Sequence, residues 1–265
     1  MIAYTHRALT ETVDLSAPGI TRGYLRGAVR ACLVLAALYA GASLVAFGVA
    51  SSAPDAWERD WFDSGAPDPL RPESTGREAK VLQRLMGPRG LRALRYRVYA
   101  SRSGGPNAWA RPGGAIFVSE SLLQALKTEI GLATVVGHEL GHHERRHILK
   151  RFARALFVEA PGRFLLGKLR LRVGQEAVGL AELSHDRDQE HEADDFALRR
   201  VHRAYGTLDG ALEFYEFIAT LEPEHASASR YLRTHPLSSE RLDRLRRLQA
   251  TLDRRPAPNV PTSGP

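Results

Sequence analysis

The sequence predicts a mainly helical domain with a few short strands near its start, standing behind one helix apolar enough to span a membrane. Three observations carry this reading. Residues 31–50 contain no charged side chain. Beyond them, short alternating and β-rich runs give way to long stretches of helical periodicity. The 265 residues, 43% of them hydrophobic, suffice for one well-buried domain of roughly 150 to 200 residues with appendages.

The apolar run comes first along the chain. About twenty apolar residues at 1.5 Å rise cross a hydrocarbon core of about 30 Å, so residues 31–52 are expected to form a transmembrane helix behind a leader of residues 1–30. Arg7, Arg22, Arg26 and Arg30 precede it against Glu11 and Asp14, whereas Asp55, Glu58, Asp60, Asp63, Asp68 and Glu73 follow it against Arg59 and Arg71. Basic flanks stay in the cytoplasm. This predicts a cytoplasmic leader, a single pass through a bacterial inner membrane and a periplasmic remainder. Trp57, Trp61 and Phe62 suit an interfacial aromatic anchor. A cleaved signal peptide is the alternative, but its apolar core is usually about seven to fifteen residues long.

Residues 53–76, rich in Pro, Asp and Ser, read as a linker. Residues 77–86 are helix-like. Leu94, Tyr96 and Val98 alternate with Arg95, Arg97 and Tyr99 as a half-buried strand would. Gly104, Gly105, Pro106 and Asn107 mark a turn, Pro112, Gly113 and Gly114 a second, and residues 115–119 a short β-rich run. Helical periodicity then dominates over residues 128–157, from about 184 to 205, over 208–221 and over 239–252. The folded domain is thus expected at 77–252, with a disordered tail at 253–265.

Composition narrows the chemistry. The single cysteine, Cys32, lies in the apolar run, so neither a disulfide framework nor a thiolate metal site can be built. A metal must use histidine and carboxylate. The net charge of +7 comes from arginines scattered along the chain without a nucleic-acid module, so nucleic acid is not an expected partner.

Within an apolar-periodic stretch carrying Ile130, Val135, Val136 and Leu140 stands His138-Glu139-Leu140-Gly141-His142. Residues four apart share a helix face, so both imidazoles can reach one Zn²⁺ with Glu139 beside an open coordination position. A third ligand is expected from Glu190-His191-Glu192-Ala193-Asp194. Glu190 and Asp194 are one turn apart, which lets Glu190 bind the metal while Asp194 orients a ligand histidine. Glu192 shares its face with Phe196. Glu192 and His191 remain the alternatives to Glu190.

These residues, with Asn107-Ala108-Trp109-Ala110, Pro112-Gly113-Gly114 and Ile116 before them, Arg146-His147 and Arg187 between, and Thr234-His235-Pro236 and Arg241 after, resemble the zinc endopeptidase family of the CAAX prenyl protease, HtpX and BepA. The resemblance spans residues 107–241. Tetratricopeptide repeats like those of BepA and the several membrane spans of HtpX are not found. It implies an α+β fold, mainly helical and zincin-type, with a small sheet lining the cleft, and one Zn²⁺ per chain held by His138, His142 and Glu190. Residues 115–119 would be the cleft edge strand, where an extended protein or peptide substrate can add as one more strand. Zinc would acidify a water and polarise the scissile carbonyl, with Glu139 as the base. His235 is the candidate donor to the developing oxyanion, and Arg241 would position its loop or donate itself. The implied function is a membrane-anchored endopeptidase in envelope protein quality control. The alternative is an inactive relative that serves as a binding or assembly factor.

Other residues read as ordinary. His143 and His147 are also four apart, but Glu144 between them sits on a different face from Glu139. His6, His185 and His202 lack a partner pattern and read as surface residues. The basic stretch from Lys150 to Arg172 reads as a packed helix pair, with a lipid-surface role as the alternative.

Overall fold

The structure, a computed structural model, describes residues 22–62, 73–87, 91–102, 105–159, 186–220 and 230–255. Most of the leader, the later linker, residues 160–185 with His185, His6 and the end of the tail lie outside the described residues. The chain divides into two units, Met1–Ala42 and Ser43–Pro265. In the first, helix α1 (Arg22–Ser52) begins, and Leu33, Val34, Leu35 and Leu38 are each more than half exposed. Among the described residues it is the one helix long and apolar enough to cross a membrane.

The second unit opens on the last turns of α1, where Ala46 and Ala50 are buried against Leu149 and Ala153. The expected linker is not uniformly irregular, because helix α2 (Asp55–Phe62) starts directly after Pro54. Its first turn carries Asp55 and Glu58, which suit the positive end of a helix. Both carboxylates meet Arg92 Nη2 at 2.7 Å, and Asp55 also lies 3.0 Å from Arg146. Composition hid this helix, because its acids are used in ion pairs instead of solvation.

Helix α3 (Arg77–Met86) matches the predicted span. Three strands follow, β1 (Arg97–Ser101), β2 (Ala108–Arg111) and β3 (Ala115–Ser119), in the sheet order β1-β3-β2. Here the structure corrects two expectations. The first strand starts later than the alternation from Leu94, and a third strand, β2, lies between the two predicted turns. The run 115–119 is also central, parallel to β1 on one side and antiparallel to β2 on the other, so it is not the edge strand. The cause is the tight turn at Gly113 and Gly114, whose φ of 90° and 98° favour glycine. It folds β2 back along β3 and leaves β2 at the margin. On the inner face Ala108, Ala110, Ile116 and Val118 are buried, while outside Trp109 and Tyr99 stack on Phe117 at 5.2 and 5.0 Å.

Ser119 caps helix α4 (Glu120–Ala125) and Thr128 caps helix α5 (Glu129–Glu144), each accepting a backbone N–H of the first turn. The predicted helix 128–157 does not run through. Arg146 adopts φ 58° and ψ 23°, a left-handed conformation that costs about 1–2 kcal/mol outside glycine. Helix α6 (His147–Arg154) therefore leaves in a new direction and ends in a π-helical turn, Ala155–Glu159.

Helix α7 (Arg187–Tyr205) is capped by Asp186 and closed by Gly206 at φ 76°. Helices α8 (Glu213–Ala219), α9 (Arg230–Thr234) and α10 (Ser239–Asp253) complete the unit. Helices α5 and α7 form its centre. They approach closely because Gly141 faces Ala193 and Gly137 faces Ala197, and a Cβ on Gly141 would stand 3.0 Å from Ala193 Cα. Leu132, Val135, Val136 and Leu140 pack with Leu198 and Val201 in one core that also takes in Ile116 and Val118. His202 is buried in this face, contrary to its expected surface position.

Candidate metal centre

The i, i+4 spacing on α5 brings His138 Nε2 and His142 Nε2 to 3.0 Å, both rings fully buried. Across the α5–α7 contact, Glu190 stands 3.4 Å from each of these nitrogens. The loop after α9 adds His235, whose Nδ1 lies 2.9 Å from Glu190 Oε1 and 3.3 Å from His138 Nε2. One ligand atom from each of these four residues lies within 4.8 Å of the others.

A tetrahedral zinc site with bonds of about 2.0–2.1 Å has donor–donor edges of about 3.3–3.4 Å. The separations of 3.3 and 3.4 Å match those edges while those of 2.9 and 3.0 Å are shorter, so this donor set has the side-chain types of a zinc site at close to its spacing. Glu139 lies beside it, buried, its Oε1 3.5 Å from His235 Nε2 and without a hydrogen-bond partner among the described residues.

The flanking carboxylates fix charge and orientation. Asp194 Oδ1 lies 3.0 Å from His138 Nδ1, and Asp194 in turn accepts two hydrogen bonds of 2.8 Å from Arg241 and one of 3.0 Å from Tyr215. Arg241 also reaches Glu190 at 2.6 Å and donates to Pro236 O. Burial disfavours the Asp194 anion, yet Arg241 outweighs it and holds the carboxyl well below the usual range. Burial likewise opposes a charge on His138, but Glu190 and Asp194 raise its pKa to about 9. His142 goes the other way, since burial pushes its pKa well down.

All the expected site residues meet here: His138, Glu139, His142, Glu190, Asp194, His235 and Arg241. His235 is placed among the donors instead of beside them. Of the alternatives to Glu190, Glu192 faces His147 at 3.2 Å. The second histidine pair does not form a site: His143 turns to Ala115 O at 3.4 Å and to the Tyr96 ring, and burial drives its pKa to about 3. Arg187 is exposed and pairs with Glu240 at 3.3 Å.

Sequence reasoning missed three residues. Tyr215 bonds Asp194, Tyr231 stacks on His235 with ring centroids 4.5 Å apart, and His147 touches His142. Tyr215 sits in a stretch that carries no motif, and Tyr231 lies just before Thr234-His235-Pro236 without being part of that motif. For His147 the sequence reading names the residue beside Arg146 and weighs it only as a partner of His143, so its contact with His142 at 3.0 Å is not foreseen.

The sequence model of peptidase family M48 matches residues 72–249. The mitochondrial metalloendopeptidase OMA1 of Schizosaccharomyces pombe is 31% identical over 173 residues, covering 63% of this chain and 50% of the relative. The metalloproteases YcaL and LoiP of Escherichia coli are 26% and 28% identical, covering 70% and 58% of this chain and 74% and 62% of the relatives. The chain spans about half the length of the mitochondrial relatives it matches. It belongs to peptidase family M48 and thus to the metalloproteases.

Proposed function

We propose that this M48 metalloprotease is a membrane-anchored zinc endopeptidase that cuts extended segments of proteins in the bacterial envelope as part of protein quality control. The observation that carries the proposal is the fit of the buried donors His138, His142 and Glu190 to zinc distances, with Glu139 beside them. When bound, zinc acidifies a water and polarises the scissile carbonyl. Glu139 takes the water proton and delivers it to the leaving amine. Asp194 and Arg241 hold His138 and Glu190 in place. Strand β2, at the margin of the described sheet and packed beside α5, is where an extended substrate would add as a further strand.

His235 favours a second element of the reading. It is the fourth member of the buried cluster and its Nε2 stands 3.5 Å from Glu139, which keeps it close enough to the proposed base to donate to a developing oxyanion. The names of YcaL and LoiP as metalloproteases and the apolar helix α1 support an anchored peptidase.

The test is Glu139→Gln in the full chain. Zinc content should stay at one ion per chain while casein cleavage falls by at least about 100-fold. A zinc-loaded, active variant would remove Glu139 from the role of base. A wild-type protein that holds zinc and cleaves nothing would favour the inactive binding factor. Comparing membrane proteomes with wild type and with Glu139→Gln then identifies substrates as proteins that accumulate only with the variant.

A further inference from the structure

We infer that His147 is a positioning residue that fixes the ring of His142 for metal binding, with Glu192 as the outer end of the chain of contacts; the inference rests on the zinc reading above. His142 directs Nε2 toward His138 and Glu190. Its other nitrogen, Nδ1, lies 3.0 Å from His147 Nδ1. The far nitrogen of His147, Nε2, lies 3.2 Å from Glu192 Oε2. Both rings are buried, and Glu192 is half exposed.

With a metal on His142 Nε2, one assignment of protons serves these contacts. A neutral imidazole that binds metal through Nε2 carries its proton on Nδ1, so His142 must donate there. His147 Nδ1 must then accept, which leaves the His147 proton on Nε2. Glu192 can only accept it. The tautomers follow from the network, and each donor meets one acceptor. Asp194 Oδ1 occupies the corresponding place for His138, 3.0 Å from its Nδ1.

The backbone explains why the sequence alone does not reveal this contact. Five residues along a straight helix turn by about 500°, which sets side chains about 140° apart. The left-handed Arg146 between α5 and α6 swings His147 back, and the two rings meet with centroids 5.2 Å apart. Arg146 is itself held: its guanidinium donates to Ala50 O and Ala53 O and pairs with Asp55. The last turn of α1 and the start of α2 therefore help set the position of His147.

The experiment compares His147→Leu, which fills the space without an acceptor, with His147→Asn, whose amide can accept from His142 and donate to Glu192. Full-length protein in detergent is titrated with zinc against a chelator and loaded with Co²⁺ for its visible spectrum, and the melting of metal-free protein is followed separately. We expect His147→Leu to bind zinc about 10- to 100-fold more weakly with an altered cobalt spectrum, and His147→Asn to recover most of both. Glu192→Gln should change affinity only a few-fold. Wild-type affinity and spectrum in His147→Leu would overturn the inference, as would equal losses in the Leu and Asn variants that track their melting. A wild-type chain that takes up no zinc would instead sink the zinc reading itself.

Discussion

Asp194 Oδ1 lies 3.0 Å from Nδ1 of His138, a residue on the opposite helix of the central pair. This contact ties the ligand's orientation to a carboxylate whose own charge is balanced by Arg241. Metal affinity and fold stability are therefore linked at one point.

Asp194→Ala should show both effects. Removing the partner of a ligand histidine typically weakens metal binding by about 10- to 100-fold. It also leaves Arg241 buried without one of its two carboxylates, a loss on the order of 3–5 kcal/mol when a buried pair is broken. Chelator competition checks the first and urea unfolding of metal-free protein the second. Weak zinc binding with unchanged stability would show that Arg241 relies on Glu190 alone.

Gly141 tests the closeness of α5 and α7. A methyl group there would meet Ala193 Cα at 3.0 Å and Ala193 O at 3.1 Å, and both are backbone atoms that cannot rotate away. Gly141→Ala should cost about 1–3 kcal/mol and move Glu190 away from His142, so that melting temperature and zinc affinity fall together. At Gly137 the added carbon would rest at 3.4 Å from Ala197 Cα. Gly137→Ala should be the milder of the two.

The contrast between these glycines and the buried cluster shows what was legible in the sequence. That His138 and His142 share a face is readable because residues four apart do so on a helix, and Glu190 was singled out because a metal would need a third donor. The helical spans 77–86 and 239–252 are readable because their periodicity is local. Where β2 lies in the sheet is not, since strand order depends on the turn at Gly113 and Gly114 and on pairing across the chain. Helix α2 was invisible for a related reason: Asp55 and Glu58 look solvated until Arg92 and Arg146 are brought to them by the fold. His147 needed the bend at Arg146, which no helical periodicity encodes.

Helix α2 offers a prediction with a pH signature. Burial raises the Asp55 pKa, but its hydrogen bond from Arg92 prevails and the pKa lies below the ordinary 3.8. A carboxyl depressed in this way stabilises the fold fully above that ordinary value, and the contribution is lost as pH falls through the lower folded-state value. Asp55→Asn should therefore destabilise the protein at neutral pH by on the order of 2 kcal/mol. The gap from wild type should stay constant down to about pH 4 and close only in stronger acid. Unfolding curves across pH check this, and a gap that closes near pH 6 would point to a different group.

The last prediction concerns topology. Arg22, Arg26 and Arg30 sit at the start of α1, while acidic residues follow its end in α2. By the imbalance of basic residues, the start of the helix is expected in the cytoplasm. Among the described residues no second helix is long and apolar enough to return. In the sequence, the strongest contender, residues 155–173, is interrupted by Glu159, Arg163, Lys168, Arg170 and Arg172. Charges of this kind cost about 2.5–3.5 kcal/mol each near the centre of a span. A reporter fused after residue 255, just past α10, should thus be active in intact cells if it requires the periplasm and silent if it requires the cytoplasm. The reverse pattern would place the proposed metal centre inside the cell. Envelope proteins exposed outside the membrane would then be out of its reach, and the proposed substrates would have to be abandoned even if the peptidase chemistry held.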